Sequence, residues 1–318
     1  NGDFSEEGVQ EVSNGSFSQE GVEEVTNGDF SSDTAWIKAT GWTISGGKAN
    51  FNGTSNSNLQ QNNVTEQNKI YKVSFEVSDY VSGTVQVIIG DNLAGEDFTF
   101  SSNGVFVFYT TADSGTTQIV RFRPTTSAEF SIDNVSVREV GQDWALGTGW
   151  SIGEDKAVAN TIGDFVNLYQ NSVFVVGKTY KTTFTIVDYT QGSVRLTQGG
   201  IDVSGFQNAV GTYTAYFTAT QTSLYMQGYQ SFIGSITNIS VKEVGMDWTL
   251  FSGWEIGNNK VVGDGTAFTD LSQTPILIQN KKVKLTFDIL DYVSGTFRIP
   301  PSDRQDGLDE RFSGNGSY

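Results

Sequence analysis

The sequence contains neither cysteine nor histidine. Without cysteine there is no disulfide framework, thiol chemistry or zinc–thiolate site, and without histidine the commonest general base is missing. Proline occurs only four times in 318 residues, and no apolar run approaches the roughly 18 residues of a spanning helix. Positive charge is scarce, with 19 Lys and Arg against 36 Asp and Glu, a net charge of −17. Such a surface repels phosphate backbones and anionic bilayers, so neither nucleic-acid binding nor membrane insertion is expected. Helical periodicity is also absent. What remains is rich in glycine and about one-third apolar, a composition that suits a soluble β-rich protein of two or three domains.

Internal repetition is the strongest signal. The block DTAWIKATGWTISG (33–46) returns as DWALGTGWSIG (143–153) and DWTLFSGWEIG (247–257), carrying Trp42 to Trp150 and Trp254. A second block, KIYKVSFEVSDYVSGTV from Lys69, returns from Lys178 and Lys281, and a third, SIDNVSVREVG from Ser131, returns from Ser235. Three blocks in fixed order at a period near 105 residues describe a domain-sized repeat. The expected division is residues 27–141, 142–245 and 246–318, preceded by a short segment, 1–26. The third copy reaches Tyr318 before its third block, so its core is expected to be incomplete. An opening at Asn1 instead of Met points to a chain cut from, or processed out of, something longer.

The segment 1–26 has its own 13-residue period: NGDFSEEGVQEVS, NGSFSQEGVEEVT, then NGDFSSD leading into the first domain. Phe4, Phe17 and Phe30 are the only large apolar residues of these units. Two readings stand open: strand addition to neighbouring chains or to another protein of the assembly, or a flexible acidic linker.

Within each domain the period is two. Tyr71, Val73, Phe75 and Val77 alternate with Lys72, Ser74, Glu76 and Ser78, and both later copies repeat the pattern. Asp-Tyr-x-x-Gly follows each time (79–83, 188–192, 291–295), which reads as a hairpin turn. Short strands between Gly/Asn/Ser turns predict an all-β fold of tandem antiparallel β-sandwich (jelly-roll) domains, with almost no linker between successive copies and hence a stiff row.

Strand parity suggests a ligand face. Phe106 and Phe108 turn to one side and Tyr109 to the other, while Val120 and Phe122 inward leave Arg121 and Arg123 outward. In the second copy Tyr216 faces away from Tyr213, Ala215 and Phe217, and Tyr225 and Gln227 face away from Leu224 and Met226. Pairing of these strands as hairpins would gather Tyr109 with Arg121, and Tyr216 with Tyr225, on one exposed face suited to sugar rings. Surface tyrosines packed on a neighbouring domain are the plainer reading. The six tryptophans sit in the most regular block and are expected in cores or domain junctions. Asp79, Asp188 and Asp291 recur in all three copies, which suits a turn-forming residue and not a catalytic one. No enzymatic activity is expected.

An NGDF opening, a Gly-Trp a dozen residues later and a closing strand of the form IDNVSV-x-EV resemble carbohydrate-binding modules of the xylanase-associated jelly-roll type, degenerate tandem versions of which occur in phage tail and head-fibre proteins. The resemblance covers all but the 13-residue units. It implies a non-enzymatic virion appendage, at the virion surface or otherwise extracellular, which binds host surface polysaccharide or serves as a rigid spacer. Its partners would be other virion subunits or further copies of itself. The alternative is a bacterial surface adhesin or extracellular filament subunit without a sugar ligand. The resemblance also implies a structural Ca²⁺ at Asp29 and Asp133 in the first domain only, because Thr237 stands in place of Asp133 in the second, which has no NGDF opening of its own.

Overall fold

The structure, a computed structural model, describes residues 2–54, 57–90, 98–112, 118–125, 127–265, 269–274, 281–299 and 310–318. The alternating run at 70–82 is a single strand, Ile70–Ser82, whose Tyr71, Val73, Phe75 and Val77 are all buried. It lies in a sheet ordered Gly104–Thr111, Ile70–Ser82, Ala128–Val140, Lys48–Gly53, Trp42–Ser45. A second sheet, ordered Ile37–Lys38, Leu59–Gln61, Ile119–Pro124, Val85–Gly90, Phe98–Phe100, covers it. Between the sheets Phe51, Phe75, Phe122 and Phe130 form one apolar core. All pairings are antiparallel, so the chain is an all-β protein of jelly-roll-like sandwiches.

The second sandwich repeats this plan, but two long strands, Thr179–Gln198 and Leu224–Val244, run through both layers and join them into one nine-stranded sheet. Its core holds Trp144, Trp150, Phe184, Leu196, Met226 and Phe232. Trp36, Trp42, Trp144 and Trp150 are buried, in line with their expected core role. In the third copy the described residues form short two-stranded ladders, and among them Ile256 alone is buried.

The Asp-Tyr-x-x-Gly turn does not close a hairpin. Ile70–Ser82 and Val85–Gly90 lie in different sheets, so the motif is the corner at which the chain changes layer. In the second sandwich the same corner is a run of register shifts between Ile186 and Ser193 inside one continuous strand, the bulged bend by which a strand switches sheets. The tyrosine hydroxyl of each motif donates to the glycine carbonyl: Tyr80 to Gly83 at 2.9 Å, Tyr189 to Gly192 at 3.1 Å, Tyr292 to Gly295 at 2.9 Å. The repeated aspartates accept lysines from the neighbouring hairpin, Lys48 on Asp79 and Lys156 on Asp188, both at 3.0 Å. Their role is in the corner, with a lysine of the neighbouring hairpin as partner.

The N-terminal units dock as strands on sandwiches of their own chain. Glu20–Glu23 adds antiparallel to the end of Ala128–Val140, and Glu7–Gln10 adds in the same way to the end of Leu224–Val244. Val25 and Phe30 enter the first core, and Val12 and Phe17 enter the second. Phe30 meets Trp36, Phe17 meets Trp144 and Phe4 meets Trp248, with ring centroids 5.2, 5.1 and 5.2 Å apart. The second sandwich therefore does have an opening of the NGDF type, supplied by Asn14–Phe17. The segment runs against the order of the domains, from the third to the first.

Candidate ligand-binding site

The strands Gly104–Thr111 and Ile119–Pro124 are not partners. Gly104–Thr111 pairs with Ile70–Ser82, placing Tyr109 beside Lys72, whereas Ile119–Pro124 pairs with Leu59–Gln61 and Val85–Gly90 in the other sheet. Tyr109 and Arg121 therefore do not share a face, and Tyr216 is likewise separated from Tyr225. Both tyrosines stand at domain joints. A Cβ on Gly153 of the second domain would touch the Tyr109 ring at 3.4 Å, and one on Gly257 of the third would touch Tyr216 at 3.5 Å. The plainer reading holds for these two.

Arg121 and Arg123 do face outward together on the first sandwich, where the Arg121 Nε donates to Gln60 and the Arg123 Nε to Gln86, both at 3.0 Å. Tyr225 and Gln227 point to the outer side of the equivalent sheet of the second sandwich, Tyr225 partly exposed and Gln227 buried. Behind them Leu168, Val194, Leu196, Leu224 and Met226 are fully buried, which fixes the opposite parity as the outer face.

Three rows cross this outer face. In one, Asn167 stands opposite Gln227 and Gln227 opposite Arg195; in the next, Tyr169 stands opposite Tyr225 and Tyr225 opposite Thr197; in the third, Tyr229 stands opposite Ser193. Arg195 is the centre. Its Nε and Nη2 donate to Gln227 Oε1 at 3.0 and 2.7 Å, and its Nη1 donates to Asp202 Oδ2 at 3.1 Å. Gln227 in turn donates to Asn167 Oδ1 at 3.2 Å. The guanidinium lies 4.4 Å from the Phe206 ring centroid and 5.9 Å from that of Phe165. Both rings are in turn near Tyr229, at 4.9 and 5.4 Å. Phe165 and Phe206 remain 52% and 40% exposed, unusual for phenylalanine unless something covers it.

At the other end Tyr169 and Tyr225 meet edge to face, 5.3 Å apart. From Tyr225 to Tyr229 is four residues of strand, about 14 Å at ~3.4 Å per residue. The face thus offers aromatic surface at both ends of a planar amide–guanidinium–carboxylate chain. Arg195, Phe165, Phe206, Tyr229, Asn167 and Tyr169 escape the sequence reading, although parity could have found Arg195. It lies between Val194 and Leu196, which point inward, and is the only charged residue of that stretch of strand.

Asp29 is exposed and its Oδ1 accepts the Ser31 N–H at 3.2 Å; Asp133 Oδ1 accepts the Asn134 N–H at 2.7 Å. In the second sandwich the corresponding positions touch, the Thr237 hydroxyl donating to the Ser16 carbonyl at 3.2 Å. Among the described residues no group of three or more acidic side chains is arranged to hold a metal ion. An ion at Asp29 and Asp133 would therefore draw its remaining oxygens from backbone carbonyls and water.

No family model matches this chain, and no curated protein matches it. Among solved structures it is similar to the N-terminal CBM22-1-CBM22-2 tandem domain of Paenibacillus barcinonensis Xyn10C, at 9% identity over 71% of this chain and 99% of that one, with a TM-score of 0.32. It is also similar to the M60 catalytic domain with the CBM51-1 and CBM51-2 domains of Clostridium perfringens ZmpB, at 6% identity over 62% of this chain and 34% of that one, TM-score 0.22. A third is allantoicase of Saccharomyces cerevisiae, at 8% identity over 62% of this chain and 80% of that one, TM-score 0.27.

Proposed function

We propose that this chain is a non-enzymatic glycan-binding segment of an extracellular rod of the virion-appendage kind, and that its second sandwich holds a sugar chain across the outer face around Arg195. The observation that carries the reading is the exposed ring set, Phe165 and Phe206 with Tyr229, placed around a guanidinium whose other contacts are planar and polar. Flat apolar faces stack on pyranose rings while amides and guanidinium N–H groups take the hydroxyls. Three of the five guanidinium N–H groups are used within the described residues, which leaves two for a ligand. The hydroxyls of Tyr169 and Tyr225 add further donors beside the row.

The rod reading is supported by the joints. Ile152 packs on Gly141 and Ile256 on Gly245, so tightly that a Cβ on either glycine would fall within 2.7 and 2.2 Å of the isoleucine. The acidic balance, with its repulsion of nucleic acid, suits a partner such as a neutral or basic host polysaccharide. A structural Ca²⁺ at Asp29 and Asp133 belongs to the same proposal. It predicts that chelation lowers the melting temperature of the first sandwich and leaves the second unchanged.

The test is a glycan array probed with the full chain, followed by titration calorimetry on any hit. Binding that falls at least ten-fold in both Arg195→Ala and Phe206→Ala, measured at a temperature where melting curves show both variants still folded, is the expected result. Absence of binding at millimolar sugar, or binding indifferent to both substitutions, overturns the assignment.

A further inference from the structure

The N-terminal units are held through largely the same contacts in both sandwiches. Gln61 Nε2 donates to the Thr26 carbonyl at 2.6 Å and its Oε1 accepts the Thr26 N–H at 3.2 Å; Gln170 makes the same pair of bonds to Ser13, at 2.6 and 3.2 Å. These buried glutamines act as one more residue of strand for the incoming segment. The Trp36 indole donates to the Asn27 carbonyl and the Trp144 indole to the Asn14 carbonyl, both at 3.0 Å. Glycine is required after each asparagine, because a Cβ on Gly28 or Gly15 would lie 2.0 or 1.9 Å from the carbonyl oxygen of Val135 or Ile239. The Val137 N–H bonds to Glu23 at 2.8 Å and the Val241 N–H to Gln10 at 2.7 Å. At the leading end, Glu20 meets Lys72 at 2.6 Å, and Glu7 meets Lys181 and Lys242 at 2.5 and 2.9 Å.

The unit recognised is therefore eleven residues long, 7–17 or 20–30, with the pattern Glu-Gly-Val-x-Glu-Val-Ser/Thr-Asn-Gly-x-Phe. It is offset from the 13-residue period as the sequence displays it, and only the exposed pair Ser18 and Gln19 separates one unit from the next. The two units differ at three positions: Gln10 against Glu23, Ser13 against Thr26 and Ser16 against Asp29. The first two are held through contacts that either residue can make.

We infer that the groove on each sandwich is a binding site for an extended acidic peptide of this pattern, and that the units are interchangeable between grooves, so that the N-terminal segment of a second copy of this chain can fill it. Units that match at eight of eleven positions and share these anchoring contacts leave a groove little means of telling its own segment from another chain's. Exchange then links copies by strand addition without new contacts.

The test uses the full chain with a site-specific protease sequence inserted between Ser18 and Gln19. After cleavage, fragment 1–18 is expected to stay bound through gel filtration. When the nicked protein is warmed through its transition and cooled with a ten-fold excess of a labelled peptide of residues 20–30, the label is expected to replace the fragment. The uncut protein should take up at least ten-fold less label, and the same peptide carrying Phe30→Ala should not be taken up. A fragment that leaves freely while the second sandwich keeps its melting temperature overturns the inference. So does a nicked protein that re-forms with fragment 1–18 but refuses the 20–30 peptide. Neither outcome bears on sugar binding at Arg195, which the glycan array reads separately.

Discussion

Gln86 and Arg123 of the first sandwich stand where Arg195 and Gln227 stand in the second, with the two side chains exchanged between the paired strands. In both, an arginine Nε donates to a glutamine Oε1 at 3.0 Å across the outer face of the sheet. The pair itself is common to both domains, and among the described residues the aromatic rings around it are those of the second. This separates a structural clamp from the features that make one face suited to a ligand.

The exchange can be tested as a double-mutant cycle. Arg123→Gln and Gln86→Arg should each cost about 1–2 kcal/mol, since the first removes two charge-assisted hydrogen bonds from buried Gln86 and the second sets two arginines side by side. Together they rebuild the arrangement of the second sandwich, and the cost should fall to well under that sum. Denaturant unfolding gives the four stabilities. Additive losses would show that the pair contributes nothing as a pair.

Phe17 and Phe30 lie close together in sequence and serve different domains. Either Phe→Ala change removes a fully buried ring, for which about 3–5 kcal/mol is expected. Hydrogen exchange should show Phe17→Ala releasing protection around Tyr180–Ile186 and Ile236–Val241, and Phe30→Ala releasing it around Tyr71–Val77. Loss in the same domain for both variants is incompatible with the docking seen here.

The fold class, the faces of individual strands and the core role of four tryptophans were legible because each follows from local alternation and block position. Sheet membership was not. Tyr109 and Ile119 are near in sequence, and the simplest inference made their strands a hairpin, yet the chain crosses from one sheet to the other between them. Which sheet a strand joins depends on partners far away in sequence, and alternation reports only which face points inward. The docking of the short units did leave a trace. Three NG-x-F motifs precede or open an array with three tryptophan blocks, and the second domain has no opening motif adjacent to it. Matching the two counts would have assigned one unit to each domain. The ring cluster at Arg195 left less trace, since Phe165 and Phe206 come from two loops about forty residues apart in sequence.

Thr197, in the row with Tyr169 and Tyr225, is fully buried and its hydroxyl has no hydrogen-bond partner among the described residues. A buried unpaired hydroxyl costs roughly 1–3 kcal/mol. Valine has nearly the same shape without that group, so Thr197→Val should raise the melting temperature of the second sandwich. Calorimetry decides the matter, and a lower transition would mean that the hydroxyl does have a partner in solution.

Glu7 ties the first N-terminal unit to its groove through Lys181 and Lys242, and these two ammonium groups hold its carboxyl below the ordinary value of 4.5. A carboxylate depressed on docking contributes stability that is complete above its undocked pKa and is lost as pH falls through the docked one. Attachment of residues 7–17 should therefore weaken in acid, from pH 4.5 downward. Glu24 in the other unit responds in the opposite sense, because burial and then the nearby Glu139 raise its pKa, and protonation relieves that strain. Protection of the Glu7–Gln10 strand against hydrogen exchange should accordingly collapse at a higher pH than that of Glu20–Glu23. In Glu7→Gln the first loss should become nearly independent of pH across this window, with weaker attachment at neutral pH. If both strands release together, or if the Glu7→Gln profile matches the parent, the ion pairs do not hold the unit in place.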